Sequence, residues 1–462
     1  MFSSEIYMSR RQRLQEQIKS GVILLLGNDE SPMNYHANAY PFRQDSTFLY
    51  FFGLDSPGLT GIIDIDEDRV MIFGDDLTMD DIIWTGPKPS LADRCQQVGI
   101  SETAPLKAIP DRIQRAILQD RKIHFLPQYR LENQWKIVSW LEISPESVSK
   151  KVSETLIRAI VAQRSIKSSD EIRQIESALD LAHTMHTTAM RQTRPGRWER
   201  EIAGIMEGIV LSQGNQLAFP TIFSIHGETL HNHDHDNPMQ AGHIAINDSG
   251  AESVLHYASD ITRTIPVGGQ FTSRQKEIYS VVLQMQQHAI QAIRPGIEYR
   301  TIHRIACRTL VSNLKDLGFM KGDIDEAIEA NAHTLFFPHG IGHMLGLDVH
   351  DMENFGEDYV GYTDTVRRNP AFGWNSLRIG KALETGFTVT VEPGIYFIPA
   401  LIDRWQSDKN CVDFIEYGKL ESYRNFGGIR IEDDVFVDEQ GGRVLGKPIP
   451  KSIDDVETLC SE

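Results

Sequence analysis

The sequence predicts an α/β (α+β) chain of two domains, a mixed α/β amino-terminal domain over residues 1–165 and an internally duplicated one over 166–462. Three observations lead there. A length of 462 residues exceeds what one hydrophobic core usually supports. Roughly the first third alternates short apolar runs with helical stretches. The remainder repeats one order of elements twice: helix, Arg-Pro-Gly, helix, then paired strands bearing acids.

In the amino-terminal domain, GVILLLG, STFLYFFGL, LTGIIDID, RVMIFG and KIHFLP read as strands, most of them bounded by Gly, Asp or Pro. SRRQRLQEQI and the stretch from Asp111 to Gln119 read as helices, and no chemical cluster stands out. The boundary falls where Ser168 and Glu171 form a capping-box pattern. Ile172, Ile175, Leu179, Ala182, Met185 and Ala189 then recur at helical steps, up to Arg194-Pro195-Gly196. The second copy opens with Thr272 and Gln275 and runs to Arg294-Pro295-Gly296. Amphipathic segments follow each turn (WEREIAGIMEGIVLSQG and YRTIHRIACRTLVSNLKDLG), and then the acidic strand pairs. INDSG leads to Asp260 in the first copy, and TVEPG leads to Glu432 in the second. Facing halves would bring two acids from each side to a shared centre.

A formal charge of −18 argues against nucleic acid or an anionic membrane as partner. GVILLLG is too short to span a bilayer, and the first 26 residues lack a signal-peptide layout. Cys95, Cys307, Cys411 and Cys460 are scattered without a CxxC pair, which fits a reducing cytoplasm and speaks against a thiolate metal site.

Five residues carry the chemistry: Asp248 in AINDSG, Asp260 in YASDITRT, His343 in HGIGHMLG, Glu392 in TVTVEPGIY and Glu432 in GIRIEDD. Each ends an apolar, β-branched run or adjoins a glycine turn. Carboxylates in such strand-like surroundings are costly to bury unless a cation neutralises them. Carboxylates with one imidazole suit manganese, with cobalt or zinc as alternatives, and so many acids call for two adjacent divalent ions. An ion pair of this kind is a device for hydrolysis.

These motifs resemble the proline-specific metallopeptidases, aminopeptidase P and prolidase, which share the pita-bread fold. YPFRQDSTFLYFFGLDSPG resembles their amino-terminal domain, and the stretch from Ser169 to Glu432 resembles their catalytic domain. The resemblance implies that Asp248 holds one ion, that Asp260 and Glu432 bridge, and that His343 and Glu392 complete the set. It implies substrate-contacting roles for His231, His339, His350 and Arg430, and supporting hydroxyls at Thr262 and Tyr396, the latter also placed to touch substrate. Trp84 in DDIIWTGPKP matches a tryptophan that reaches across a homodimer. Glu392 would shuttle the proton in catalysis, while His339 and His350 would steady the carbonyl oxygen or bind the peptide. The expected substrates are Xaa-Pro dipeptides or short peptides.

Residue patterns refine this expectation. Gly340, Gly342 and Gly346 disfavour a regular helix around His339 and His343, so the two histidines are read separately, one as ligand and one for substrate. His233 and His235, in HNHDHD, read as surface residues, and Asp433 and Asp434 as solvent-facing or structural. Phe219 stands where the family commonly has a tyrosine. Arg378, fourteen residues before Glu392, matches an arginine that in prolidases grips a dipeptide carboxylate. It tilts the expectation towards a dipeptidase, with an aminopeptidase on longer peptides as the alternative. Remoter alternatives are a non-catalytic module of the same fold and a metal-free C–N hydrolase resembling creatinase.

Overall fold

A computed structural model describes residues Met1–Glu462. The chain divides into two compact units, 1–164 with 354–359, and 165–353 with 360–462. The short segment 354–359 therefore belongs with the first unit, which the division expected at 165/166 does not include. No helix is long and apolar enough to cross a membrane.

The first unit is built on a five-stranded sheet. Its strands are β1 (Val22–Leu26), β2 (Thr60–Asp64), β3 (Arg69–Phe73), β4 (Glu102–Ala104) and β5 (Ile123–His124). The order is β4-β3-β2-β1-β5, with β1 antiparallel to β2 in the register Val22↔Asp64 to Leu26↔Thr60. Val22, Leu24 and Leu26 alternate into a core shared with Ile62, Phe73, Ile113 and Phe125.

STFLYFFGL, expected as a strand, is a helix over Ser46–Phe52. All seven residues are buried, so the run has no polar face whose spacing could reveal a period of 3.6. Local chemistry decides it. Asp45 caps the start by accepting from the Phe48 N–H at 2.9 Å, and Gly53 ends it at φ 63°.

The second unit shows the two expected copies. Helices Ser169–Gln192 and Ser273–Ala292 both open with the anticipated capping boxes. Each reaches its Arg-Pro-Gly turn, where Gly196 (φ 90°) and Gly296 (φ 86°) adopt the left-handed backbone that glycine tolerates. The turns make equivalent bonds, Gly196 N–H to Met239 O and Gly296 N–H to Leu383 O, each 2.8 Å. Helices Glu199–Ser212 and Tyr299–Asp316 follow.

Each copy then supplies an antiparallel sheet. The first is β6 (Ile222–Ser224), β7 (Ile244–Ser249) and β8 (Ile261–Pro266). The second joins β9 (Thr388–Val391), β12 (Asp433–Val437) and β13 (Gly442–Val444), while β10 (Gly394–Tyr396) pairs with β11 (Gly428–Arg430). The halves are stitched where β8 runs beside residues 430–432. Glu432 N–H donates to Thr262 O at 3.0 Å, and the Thr264 hydroxyl donates to Arg430 O at 3.0 Å.

Arg263 locks that seam. Its buried guanidinium donates to Asp433 at 2.7 Å and to the carbonyls of Thr262, Glu432, Ile449 and Pro450. Asp433 also pairs with Lys451, and Asp434 accepts from the Asp260 N–H at 3.0 Å. Both aspartates are buried, so of the two expected roles the structural one holds and the solvent-facing one does not. Replacing Arg263 by methionine strips a buried acid of its main partner and should destabilise the protein by about 3–5 kcal/mol. An unchanged urea midpoint would contradict that role.

Candidate active site

A cavity of about 550 Å³ opens in the second unit. Its wall includes all five expected metal ligands, together with His231, His339, His350, Arg378 and Arg430. Asp248 lies near the end of β7 and Asp260 immediately before β8, while Glu392 directly follows β9 and Glu432 directly precedes β12. Corresponding ends of paired strands thus deliver two acids from each copy.

His343 is placed by strand-like pairing with β9. Its N–H donates to Thr390 Oγ1 at 3.1 Å, Thr390 N–H returns to His343 O at 3.0 Å, and Glu392 N–H donates to Ile341 O at 2.8 Å. Gly342 permits this approach, because a Cβ there would sit 2.1 Å from Thr390 O. The His343 Nδ1 proton goes to Met344 O at 3.0 Å, which leaves Nε2 as a lone pair facing Asp260 Oδ2 at 3.3 Å and Glu392 Oε1 at 3.7 Å.

The electrostatics call for a cation. Burial, followed by the charges of neighbouring acids, holds the carboxyls of Asp260 and Glu432 well above the usual range. Burial raises Glu392 as well, against the pull of His343 and Arg430. Ligand atoms of Asp260, His343 and Glu432 lie within 4.8 Å of one another, and the buried Asp260 Oδ1 has no hydrogen-bond partner. Convergent acids, an imidazole lone pair and an orphaned carboxylate oxygen fit divalent cations.

Arg430 organises the opposite wall. It donates to Asp248 Oδ2 at 2.6 Å, to Thr262 Oγ1 at 3.2 Å and to the Tyr396 hydroxyl at 2.8 Å. Thr262 Oγ1 in turn donates a hydrogen bond to Glu432 Oε2 at 2.7 Å. Tyr396 lies 2.8 Å from His339 Nε2, and His339 Nδ1 lies 2.8 Å from Gly340 O. A carbonyl only accepts, so Nδ1 carries the proton and Tyr396 donates to Nε2. Burial and then Arg430 push His339 down to about 3, and burial pushes Tyr396 up to about 12. Both are neutral near pH 7.

His350 stacks on His343 with ring centroids 3.8 Å apart, and its Nδ1 lies 2.7 Å from Glu353 Oε2. Burial and then the neighbouring His343 lower His350 to about 4. Glu353 also pairs with Arg378. Burial works against its ionisation, but the adjacent His350 and Arg378 prevail, leaving it at about 2. Arg378 is therefore a cavity residue already engaged by an acid.

The remaining expected residues divide. His231 sits at the exposed edge of the cavity, and partial burial followed by Arg430 lowers its pKa. His233 is exposed, as its surface reading expected, and also lines the cavity, whereas His235 is half-buried and lies 3.2 Å from Phe223 O. Phe219 lines the cavity too. Trp84 belongs to the first unit, is 86% exposed and is not among the cavity residues.

Sequence reasoning missed Glu353 and Thr390. Signals existed for both. Glu353 falls three residues after His350, and Thr390 shares a strand face with Glu392 in the alternating TVTVE.

Residues 173–439 match the family model for metallopeptidase family M24, and residues 7–124 match the aminopeptidase P amino-terminal domain. A Haemophilus influenzae Xaa-Pro aminopeptidase is 31% identical over 99% of this chain and 97% of its own. The human Xaa-Pro dipeptidase is 29% identical over 99% of this chain and 93% of its own. Aminopeptidase P from E. coli, solved with the inhibitor Pro-Leu, superimposes with a TM-score of 0.81 at 28% identity, covering 100% of this chain and 98% of that one. The chain thus belongs to the proline-specific metallopeptidase family of aminopeptidase P and prolidase, and is a metallopeptidase of family M24 with its pita-bread fold.

Proposed function

We propose that this enzyme hydrolyses the bond between an amino-terminal residue and a following proline, with two divalent cations held by Asp248, Asp260, His343, Glu392 and Glu432. The convergence of four acids and one imidazole lone pair on a single cavity carries this reading. Manganese is the proposed resident ion, on the strength of the oxygen-rich donor set. When bound, the two cations supply a water acidified for attack and a counter-charge for the carbonyl oxygen.

The chain's own groups do the rest. Asp260 and Glu432, one from each copy, would hold both ions, and Thr262 fixes the Glu432 carboxylate by hydrogen bond. Glu392 takes the proton of the attacking water and hands it to the departing proline nitrogen. His339 has both ring nitrogens engaged, so its contribution is to hold the Tyr396 hydroxyl and, through it, the Arg430 wall. His350, neutral and with Nδ1 turned to Glu353 at 2.7 Å, presents Nε2 to the peptide. His231 meets substrate at the cavity edge.

The preferred substrate is a dipeptide. Arg378 lines the cavity, and Glu353 fixes its guanidinium in place to receive a substrate carboxylate. Arg378→Ala should then raise KM for Ala-Pro by about 10- to 100-fold, the value of one charge-assisted contact. KM for Ala-Pro-Ala should hardly change, and equal effects on the two would remove that role. The similarity to the Haemophilus influenzae Xaa-Pro aminopeptidase favours a second reading, action on longer peptides. A strong preference of the unaltered enzyme for Ala-Pro-Ala would establish it instead.

A cytoplasmic location is proposed from four cysteines that form no disulfide. A homodimer is proposed from the exposed Met79, Ile83 and Trp84 on one short helix.

A further inference from the structure

Three metal-ligating side chains meet away from the cavity. His303 and Cys307 stand one turn apart on the buried face of helix Tyr299–Asp316, and His333 comes from the short 3-10 turn Ala332–Leu335. Their exposures are 1%, 0% and 0%. His303 Nε2 lies 3.5 Å from Cys307 Sγ, and one ligating atom from each of the three falls within 4.8 Å of the others. Trp374 meets both imidazoles edge-on, with centroids 4.7 Å from His303 and 5.9 Å from His333.

Their polar atoms are not accounted for. Neither nitrogen of His333 has a hydrogen-bond partner, nor has His303 Nδ1. A neutral imidazole carries one N–H and one lone pair, and each left unmet in an interior costs about 1–3 kcal/mol. A thiol hydrogen bond would satisfy Cys307 and His303 Nε2 only. Burial keeps His303 well below its ordinary value and His333 at about 4, so both rings hold lone pairs ready at neutral pH.

We propose that His303, Cys307 and His333 form a thiolate-containing zinc site, separate from the carboxylate centre. Two imidazole nitrogens and one sulfur are a borderline-soft set that zinc accepts, unlike the oxygen-rich set around Asp260. As the zinc–sulfur bond forms, the Cys307 thiol releases its proton to solvent, each ring gives a lone pair, and a solvent oxygen takes the fourth position. A tetrahedral ion with bonds of about 2.0–2.3 Å needs ligand atoms roughly 3.3–3.7 Å apart, so the site closes with a shift of about 1 Å. The ion would tie helix Tyr299–Asp316 to the turn of His333. Phe337 stands between this site and the cavity, its ring 5.3 Å from His303 and 4.8 Å from His339.

The test is zinc X-ray absorption on the full-length Glu432→Gln protein, whose carboxylate centre is crippled and contains no sulfur. One sulfur scatterer at about 2.3 Å from bound zinc is expected. Cobalt-loaded protein should show a thiolate-to-cobalt charge-transfer band, and Cys307→Ser should abolish it with the loss of one ion per chain. Should Cys307→Ser fail to fold, His333→Gln takes its place: it should lose the same ion, and with it the thiolate band that the unaltered protein shows. A purely nitrogen and oxygen shell around zinc, with no thiolate band in cobalt-loaded protein, would overturn the site and leave a buried water or bare rings in its place.

Discussion

Glu432→Gln should lower kcat/KM for Ala-Pro on the order of 10³-fold or more, about 4 kcal/mol of barrier. Glu432 is the residue at which the copies meet, since its backbone N–H donates to Thr262 O and its side chain accepts from the Thr262 hydroxyl. An amide is nearly the same size but carries no charge, so in the proposed bridging role it would weaken both ions at once. A general disturbance of the fold would also cost activity, and chelated protein separates the two. There the wild type must bury Glu432 near Asp260, Glu392 and Asp248, whose charges disfavour its ionised form. Removing that acid should leave the chelated variant at least as stable as chelated wild type. A variant both inactive and markedly less stable under chelation would point to a structural role instead.

The second large effect is a reversal of pH dependence by metal. Asp260, Glu392 and Glu432 all have carboxyl pKa values raised in the fold, first by burial. A raised folded pKa means that the folded state binds more protons than the unfolded chain. The stability these groups contribute is complete below the unfolded values, near 4, and is lost as pH rises through the raised folded values. Chelated enzyme should therefore lose stability from about pH 5 upward, by about 1.4 kcal/mol per pH unit for each proton retained. Excess manganese should invert the slope, because cations bind the deprotonated site and stabilise the folded state by mass action. Urea unfolding at a series of pH values, with chelator and with manganese, measures both limbs. Curves that coincide would mean that the acids are not gathered as described.

Much of this was legible in the residues. The capping boxes at Ser168 and Thr272 and the two Arg-Pro-Gly turns are local chemistry, and the helices start and stop there. The four acids and one imidazole expected to gather do line one cavity, and the sequence marked them because each ends an apolar run or adjoins a glycine turn. STFLYFFGL was misread because a segment buried on every side has no period, and only Asp45 and Gly53 distinguish helix from strand. The commitment of Arg378 to Glu353 could not be foreseen, since it depends on where the long stretch between His350 and Glu392 folds back. The partners of His339 were hidden for a related reason, because Tyr396 and Arg430 reach it across paired strands β10 and β11. Scattered cysteines were expected to be unconnected with metal, yet Cys307 meets two histidines that only tertiary packing brings together.

Crystals of the enzyme equilibrated with manganese, measured at an energy where manganese scatters anomalously, test the central claim most directly. Two peaks about 3.5–4 Å apart should appear, both touched by Asp260 and Glu432, with Asp248 on one and His343 and Glu392 completing the shell. A cavity without anomalous density under saturating manganese, its acids still protonated and hydrogen-bonded to one another, would contradict it.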